Sequence, residues 1–173
     1  MMKFEIEIMP TFNNHELTWQ QLKEQIIEYA DDKKGHIINL GLVDLEGDDV
    51  DLSNIIQIDK FYGFRSNIVK TLSVMLLTKD SNVADDDDEC IVDDYGSGLS
   101  LSEREELLSK FKKLSYTIPI TAESTRTSEE NELIGCIVAG IAKAYEAKIV
   151  ILAGKPSGSH AKMYNPEEFA LLF

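Results

Sequence analysis

Carboxylates are the side chains whose density in this sequence most invites a chemical reading. Asp44-Leu-Glu-Gly-Asp-Asp-Val-Asp51 brings Asp44, Glu46, Asp48, Asp49 and Asp51 into one short turn. Asp85, Asp86, Asp87, Asp88 and Glu89 run without interruption, and with Asp93 and Asp94 they put 7 acids into 10 residues. Alternating oxygens such as Asp44, Glu46 and Asp48, or Asp85, Asp87 and Glu89, are the kind of set that supplies calcium's six to eight ligands. Neither segment completes an EF-hand loop, which needs glycine at its sixth position, a bidentate glutamate at its twelfth, and a helix on each side. The expectation is therefore no metal and no cofactor. The two clusters read instead as an acidic docking surface or as solvated loops, since self-repelling acidic segments stay hydrated until something binds them.

The remaining reactive residues make no recognisable constellation. Gly154-Lys-Pro-Ser-Gly-Ser159 follows a predicted strand and resembles a phosphate loop only superficially, because such a loop ends in Gly-Lys-Ser/Thr and feeds straight into a helix. Here Lys155 precedes a proline, and no helix is expected before Pro166. His15, His36 and His160 sit in a loop, at a strand entrance and in a glycine-serine loop, with no G-x-S-x-G, H-E-x-x-H, C-x-x-C or G-x-G-x-x-G motif anywhere. Cys90 and Cys136 have neither metal spacing nor the density of a disulfide framework. No catalytic residue is assigned.

Charge is divided unevenly. The net charge is −14; residues 1–94 hold 21 acids and 8 bases, and residues 95–173 hold 10 acids and 9 bases, so nearly the whole excess is N-terminal. Such a field repels nucleic acid and anionic membranes and speeds association with a basic partner. The start, Met1-Met-Lys-Phe-Glu-Ile-Glu-Ile, is charged at every second position and cannot form a signal-peptide core, and no apolar run approaches the roughly 18 residues of a membrane helix. A cytoplasmic protein is expected.

The elements that must position these groups are clearest near the C-terminal end. Ser115 to Ala122 and Lys148 to Ala153 read as strands, and Thr127-Ser-Glu-Glu130 is a capping box that starts a helix with Leu133, Ile134, Ile137, Val138, Ile141 and Tyr145 on one face. Strands joined by so long a helix are most simply parallel, in a right-handed β-α-β unit. Earlier, Lys3 to Pro10 alternates as a half-exposed strand, and Thr18-Trp-Gln-Gln21 caps a helix from about Trp19 to Asp31 that ends at Asp32-Lys-Lys-Gly35. His36 to Val43 and Ile55 to Ile58 form a predicted hairpin around the acidic turn, and Phe61-Tyr-Gly-Phe64 resembles a turn. Asn67 to Leu77 fits one face of a helix or of a strand, and strand is favoured because the preceding elements form a meander. Residues 80–100 are an acidic polar loop; Ser102-Glu-Arg-Glu105 leads a further helix, and Asn165-Pro-Glu-Glu-Phe169 a short terminal one. A chain of 173 residues, 43% hydrophobic and 28% charged, suffices for one core. The fold class is α+β: a single domain spanning 1–173, with a mixed β-sheet and helices packed on one face.

Phe4-Glu-Ile-Glu-Ile8 before the Trp19 helix, the Phe61-Tyr-Gly-Phe64 stretch and the closing strand-helix-strand resemble one group of small acidic immunity proteins from bacterial polymorphic-toxin and contact-dependent-inhibition systems. The resemblance implies a non-enzymatic protein that neutralises a cognate basic toxin domain, often a nuclease, by direct binding; it carries over no functional residues. The docking candidates remain Asp44, Glu46, Asp48, Asp49, Asp51 and Asp85 to Glu89. The competing classes are a regulatory or assembly protein and a small enzyme without a motif, and the oligomeric state is left open.

Overall fold

A computed structural model describes residues 4–10, 16–33, 39–57, 60–66, 74–77, 100–113, 118–122, 127–153 and 163–173. Strands β1 (Phe4–Pro10), β2 (Leu40–Val43), β3 (Phe61–Ser66), β4 (Val74–Leu77), β5 (Ile118–Ala122) and β6 (Ala147–Ala153) form one sheet in the order β2-β3-β4-β5-β1-β6. The helices are α1 (Trp19–Ile27), continued by a π-helical segment Glu28–Lys33, then α2 (Leu101–Lys113), α3 (Ser128–Ala144) and α4 (Pro166–Ala170). The α+β class is thus observed.

The sheet differs from expectation in its pairing. β5 and β6 both run antiparallel to β1 and hence parallel to each other, as the β-α-β reading requires, but β1 lies between them. Every described pairing is therefore antiparallel, where a mixed sheet was the expectation. The reason lies in the register. Ile6 stands opposite Ile120 on one side and Ile151 on the other, and Ile8 opposite Ile118 and Ile149. Two rows of three isoleucines cross three strands, and all six are buried. Inserting β1 completes rows that β5 and β6 alone would leave split, and cross-strand β-branched pairs are the unit of sheet stabilisation. Val150 is buried as well as Ile149 and Ile151, which explains why β6 reads as a continuous apolar run and not as an alternation.

α3 covers this region, with Leu133, Ile134, Ile137, Val138 and Ile141 all buried. Its N-cap is Thr127, whose Oγ1 accepts from the Glu130 N–H at 3.2 Å; of the expected capping box this half forms, and Glu130 makes no return bond to the Thr127 N–H. α1 lies on α3 through Trp19, Leu22 and Ile26, and Tyr29 and Ala30 of the π-helical segment continue the buried stripe. α4 begins at its predicted cap, Asn165, with Pro166 at the first position, and Tyr164 makes an antiparallel bridge to Ile149 along β6.

Three local expectations change. Among the described residues, 39–43 and 55–57 do not pair as a hairpin: β2 pairs with β3, so Phe61-Tyr-Gly-Phe64 is strand, with Tyr62 and Phe64 inward and Phe61 outward. Aromatic residues at alternate positions fit a half-buried strand better than a turn. The cap of α2 is Ser100, not Ser102. Ser100 Oγ accepts from the Glu103 N–H at 3.2 Å and Glu103 Oε2 from the Ser100 N–H at 3.0 Å, because an overlapping Ser-x-x-Glu pattern starts two residues earlier. In 67–77 the described part, Val74–Leu77, is strand β4, and the rest of that stretch lies outside the described residues. The same holds for residues 78–99.

The closest approach in the helical layer is at Gly140 of α3. A Cβ there would lie 2.5 Å from Ile26 Cα and 2.7 Å from Ile26 N in α1. In an exposed helix, Gly→Ala gains about 1 kcal/mol of helix propensity. Here backbone meets backbone, so Gly140→Ala is expected to destabilise the protein by roughly 1–3 kcal/mol as an overpacking change. Urea denaturation of the variant measures it, and a stability equal to or above wild type would refute the contact.

Candidate functional site

Of the two predicted docking clusters, Asp44 to Asp51 falls among the described residues and Asp85 to Glu89 lies outside them. The turn is built by its own first carboxylate. Asp44 Oδ1 accepts from the backbone N–H of Glu46 at 3.0 Å and of Asp48 at 2.9 Å, and the Asp44 carbonyl accepts from the Gly47 N–H at 3.0 Å. Gly47 sits at φ 86, where a side chain would be strained. The Asp44 N–H then donates to the Asp48 carbonyl and the Val50 N–H to the Leu42 carbonyl, which sets Asp49 opposite Val43.

Beyond Val50 the chain leaves β2 and is taken up by α1. The Gln20 N–H donates to the Leu52 carbonyl and the Trp19 N–H to the Asn54 carbonyl, both at 2.9 Å, while the Ile56 N–H donates to the Leu17 carbonyl at 2.8 Å. Thr18 Oγ1 accepts from the Gln21 N–H at 3.2 Å, and Gln21 Oε1 accepts from the Thr18 N–H at 2.9 Å, the predicted capping box. The first intrahelical bond runs from Leu22 N to the Thr18 carbonyl. The N–H groups of residues 19 to 21, orphaned in any α-helix, are thus all satisfied, two of them by the loop.

This geometry separates the five predicted acids into different roles. Asp44 holds the turn and is half-buried. Asp49 pairs with Arg65 Nη1 of β3 at 3.2 Å, with both side chains largely exposed, a geometry worth at most about 1 kcal/mol. Glu46, Asp48 and Asp51 are exposed, and their carboxylates make no hydrogen bond or ion pair among the described residues. The same loop exposes Leu45 by 69%, Leu52 by 46% and Ile55 by 48%, an apolar component that the acidic pattern concealed in the sequence.

Where the loop diverges from β2, an open cleft of about 520 Å³ forms between α1 and the sheet, lined by Trp19, Lys23, Leu42, Val50, Leu52 and Arg65 among others. Its described lining contains no histidine or cysteine, and its one carboxylate, Asp49, is the one bound by Arg65. Among the described residues no three His, Cys, Asp or Glu side chains gather where they could hold a metal ion. His15, His36, His160, Cys90 and the Gly154–Ser159 loop lie outside the described residues; Cys136 is buried on α3. No described helix is long and apolar enough to cross a membrane.

A second polar cluster was not legible in advance, because its members are far apart in sequence. The Tyr29 hydroxyl of the π-helical segment donates to Glu167 Oε1 of α4 at 3.2 Å, and Lys143 Nζ at the end of α3 donates to the same oxygen at 3.4 Å. Burial, and next the adjacent Glu167 carboxylate, push the Tyr29 phenol far above its ordinary range. A hydrogen bond from its own backbone N–H holds the Glu167 carboxyl below the usual range, against partial desolvation and with help from Lys143.

Two predictions follow from these contacts. Asp44→Ala removes the acceptor for two turn amides, so amide exchange at Glu46 and Asp48 should accelerate and stability should fall by about 1 kcal/mol; unchanged exchange would show that the turn holds without it. For Tyr29, a folded-state pKa above the unfolded value means stability that is complete below about pH 10 and lost as pH rises further. Urea midpoints taken between pH 8 and 11 should therefore fall more steeply for wild type than for Tyr29→Phe, and parallel curves would refute the link.

No known protein family, no curated protein and no solved structure matches this chain.

Proposed function

We propose that the protein is a non-enzymatic binder of a basic protein, acting as an immunity protein that occupies and neutralises a cognate basic bacterial toxin domain, such as a nuclease, in the cytoplasm. The observation that carries this reading is the acidic turn: a loop held at both ends by backbone hydrogen bonds that leaves Glu46, Asp48 and Asp51 exposed, with no side-chain partner among the described residues. An inhibitor of this kind needs no catalytic set. It needs fixed carboxylates that complement a cationic active site, and the net charge of −14 adds long-range attraction to the same partner.

The test is co-expression with the product of the adjacent gene, followed by stopped-flow association across a salt series. The on-rate should fall about tenfold or more between low and high salt, as screening shortens the attraction to about 10 Å at 0.1 M. A Glu46→Gln, Asp48→Asn, Asp51→Asn variant should associate more slowly with an unchanged melting temperature, since Asp44 and its turn are left intact. Absence of a complex, or on-rates indifferent both to salt and to these substitutions, would refute the reading.

A further inference from the structure

The described residues expose six large apolar side chains: Leu45, Leu52 and Ile55 lie on the acidic loop, Phe61 opens β3, and Leu101 and Leu171 lie on or beside other helices. The loop is fastened to the start of β3 by the Gln57 N–H donating to the Tyr62 hydroxyl at 2.9 Å and by the Arg65–Asp49 pair. Tyr62 and Phe64 face inward, so Phe61 shares the outer face of β3 with Arg65, the face that Asp49 reaches. Side chains this large would ordinarily be expected to fold inward, yet the backbone bonds at Leu52, Asn54 and Ile56 fix the loop with them outward.

Resting on the binding function proposed above, we infer that Leu45, Leu52, Ile55 and Phe61 form the apolar centre of the docking surface, with Glu46, Asp48 and Asp51 as its charged rim. The occupant is a protein surface of matching composition: lysine or arginine around an exposed aliphatic or aromatic contact. The complementarity is twofold. The exposed carboxylates select a cationic rim, and the apolar side chains require a dehydrated centre, which is how interfaces divide steering from retention. A purely basic partner would leave the four hydrophobics in water.

The inference is tested with two synthetic peptides of equal length and charge, one alternating lysine with leucine and the other lysine with serine, titrated into methyl-labelled protein. The lysine-leucine peptide should bind about tenfold more tightly, because burying even part of one leucine suffices for that factor. It should shift the methyl signals of Leu45, Leu52 and Ile55 and spare those of Leu101 and Leu171. In a Leu45→Ser, Leu52→Ser, Ile55→Ser variant the two peptides should bind alike. Equal affinity of the two peptides for wild type, or shifts centred on Leu101 or Leu171, would overturn the inference without recourse to the variant. If the lysine-serine peptide still mapped to the acidic turn, the electrostatic reading would stand and only the apolar centre would fall; if neither peptide touched the turn, both would fall.

Discussion

Ile26 and Gly140 meet backbone to backbone, and the placement of α1 depends on the contact. α3 is buried against β1 and β6; among the described elements the main helix contact of α1 is with α3, so its place is set by how near α3 it can lie. A glycine at 140 allows the shortest separation, which brings Trp19, at the far end of α1, against Phe64 of β3 with ring centroids 6.1 Å apart. The N-terminus of α1 is then in reach of the loop after β2. Its Trp19 and Gln20 N–H groups need acceptors in any case, and the loop carbonyls of Asn54 and Leu52 supply them. A packing constraint in the core is in this way transmitted to the geometry of a surface loop.

That transmission bears on what the acidic turn can do. Ordering a loop against a partner costs conformational entropy at the moment of binding. The turn at 44–51 is already ordered: Asp44 neutralises two of its amides, Gly47 takes the left-handed conformation, and Val50 rejoins β2. A backbone held in one arrangement loses less freedom on association, which is the general advantage of preorganisation. The same bonds also explain why so many carboxylates can be clustered without unfolding the turn, since Asp44 is stabilised by donors and Asp49 by Arg65.

Much of the fold was legible because local signals and global packing agreed. The N-caps at Thr18, Thr127 and Asn165 fall at their expected residues, with the full capping box formed at Thr18, and the apolar stripe of α3 is buried residue by residue. Failures occurred where the deciding contact is distant. Nothing local announces that β1 slots between β5 and β6, because alternation in Phe4 to Pro10 fixes which face is apolar and leaves the neighbours unspecified. Ile55 to Ile58 has strand composition, yet the chain there is bonded to Leu17 and Thr18, residues nearly forty positions earlier. At the candidate site the acids were visible as a composition, whereas their division into structural, paired and outward groups required the hydrogen bonds. The exposed leucines were invisible for the opposite reason: hydrophobic residues beside a predicted strand are assigned to the core by default, and only the backbone path shows them outside it.

The distribution of cations bears on what the surface could recognise. Residues 1–94 contain 8 bases, and two of them, Lys23 and Arg65, line the cleft beside the acidic turn. Arg65 is matched by Asp49, and Lys23 is half-buried in the cleft lining, so neither is paired with Glu46, Asp48 or Asp51. They do alter its shape. A uniformly negative surface attracts any cation and discriminates poorly, whereas a negative rim interrupted by a cation penalises partners that place a lysine or arginine opposite it. Under the binding function proposed above, attraction from the net charge would govern how fast a basic protein arrives, and the arrangement of Lys23, Arg65, Glu46, Asp48 and Asp51 would govern which basic protein stays.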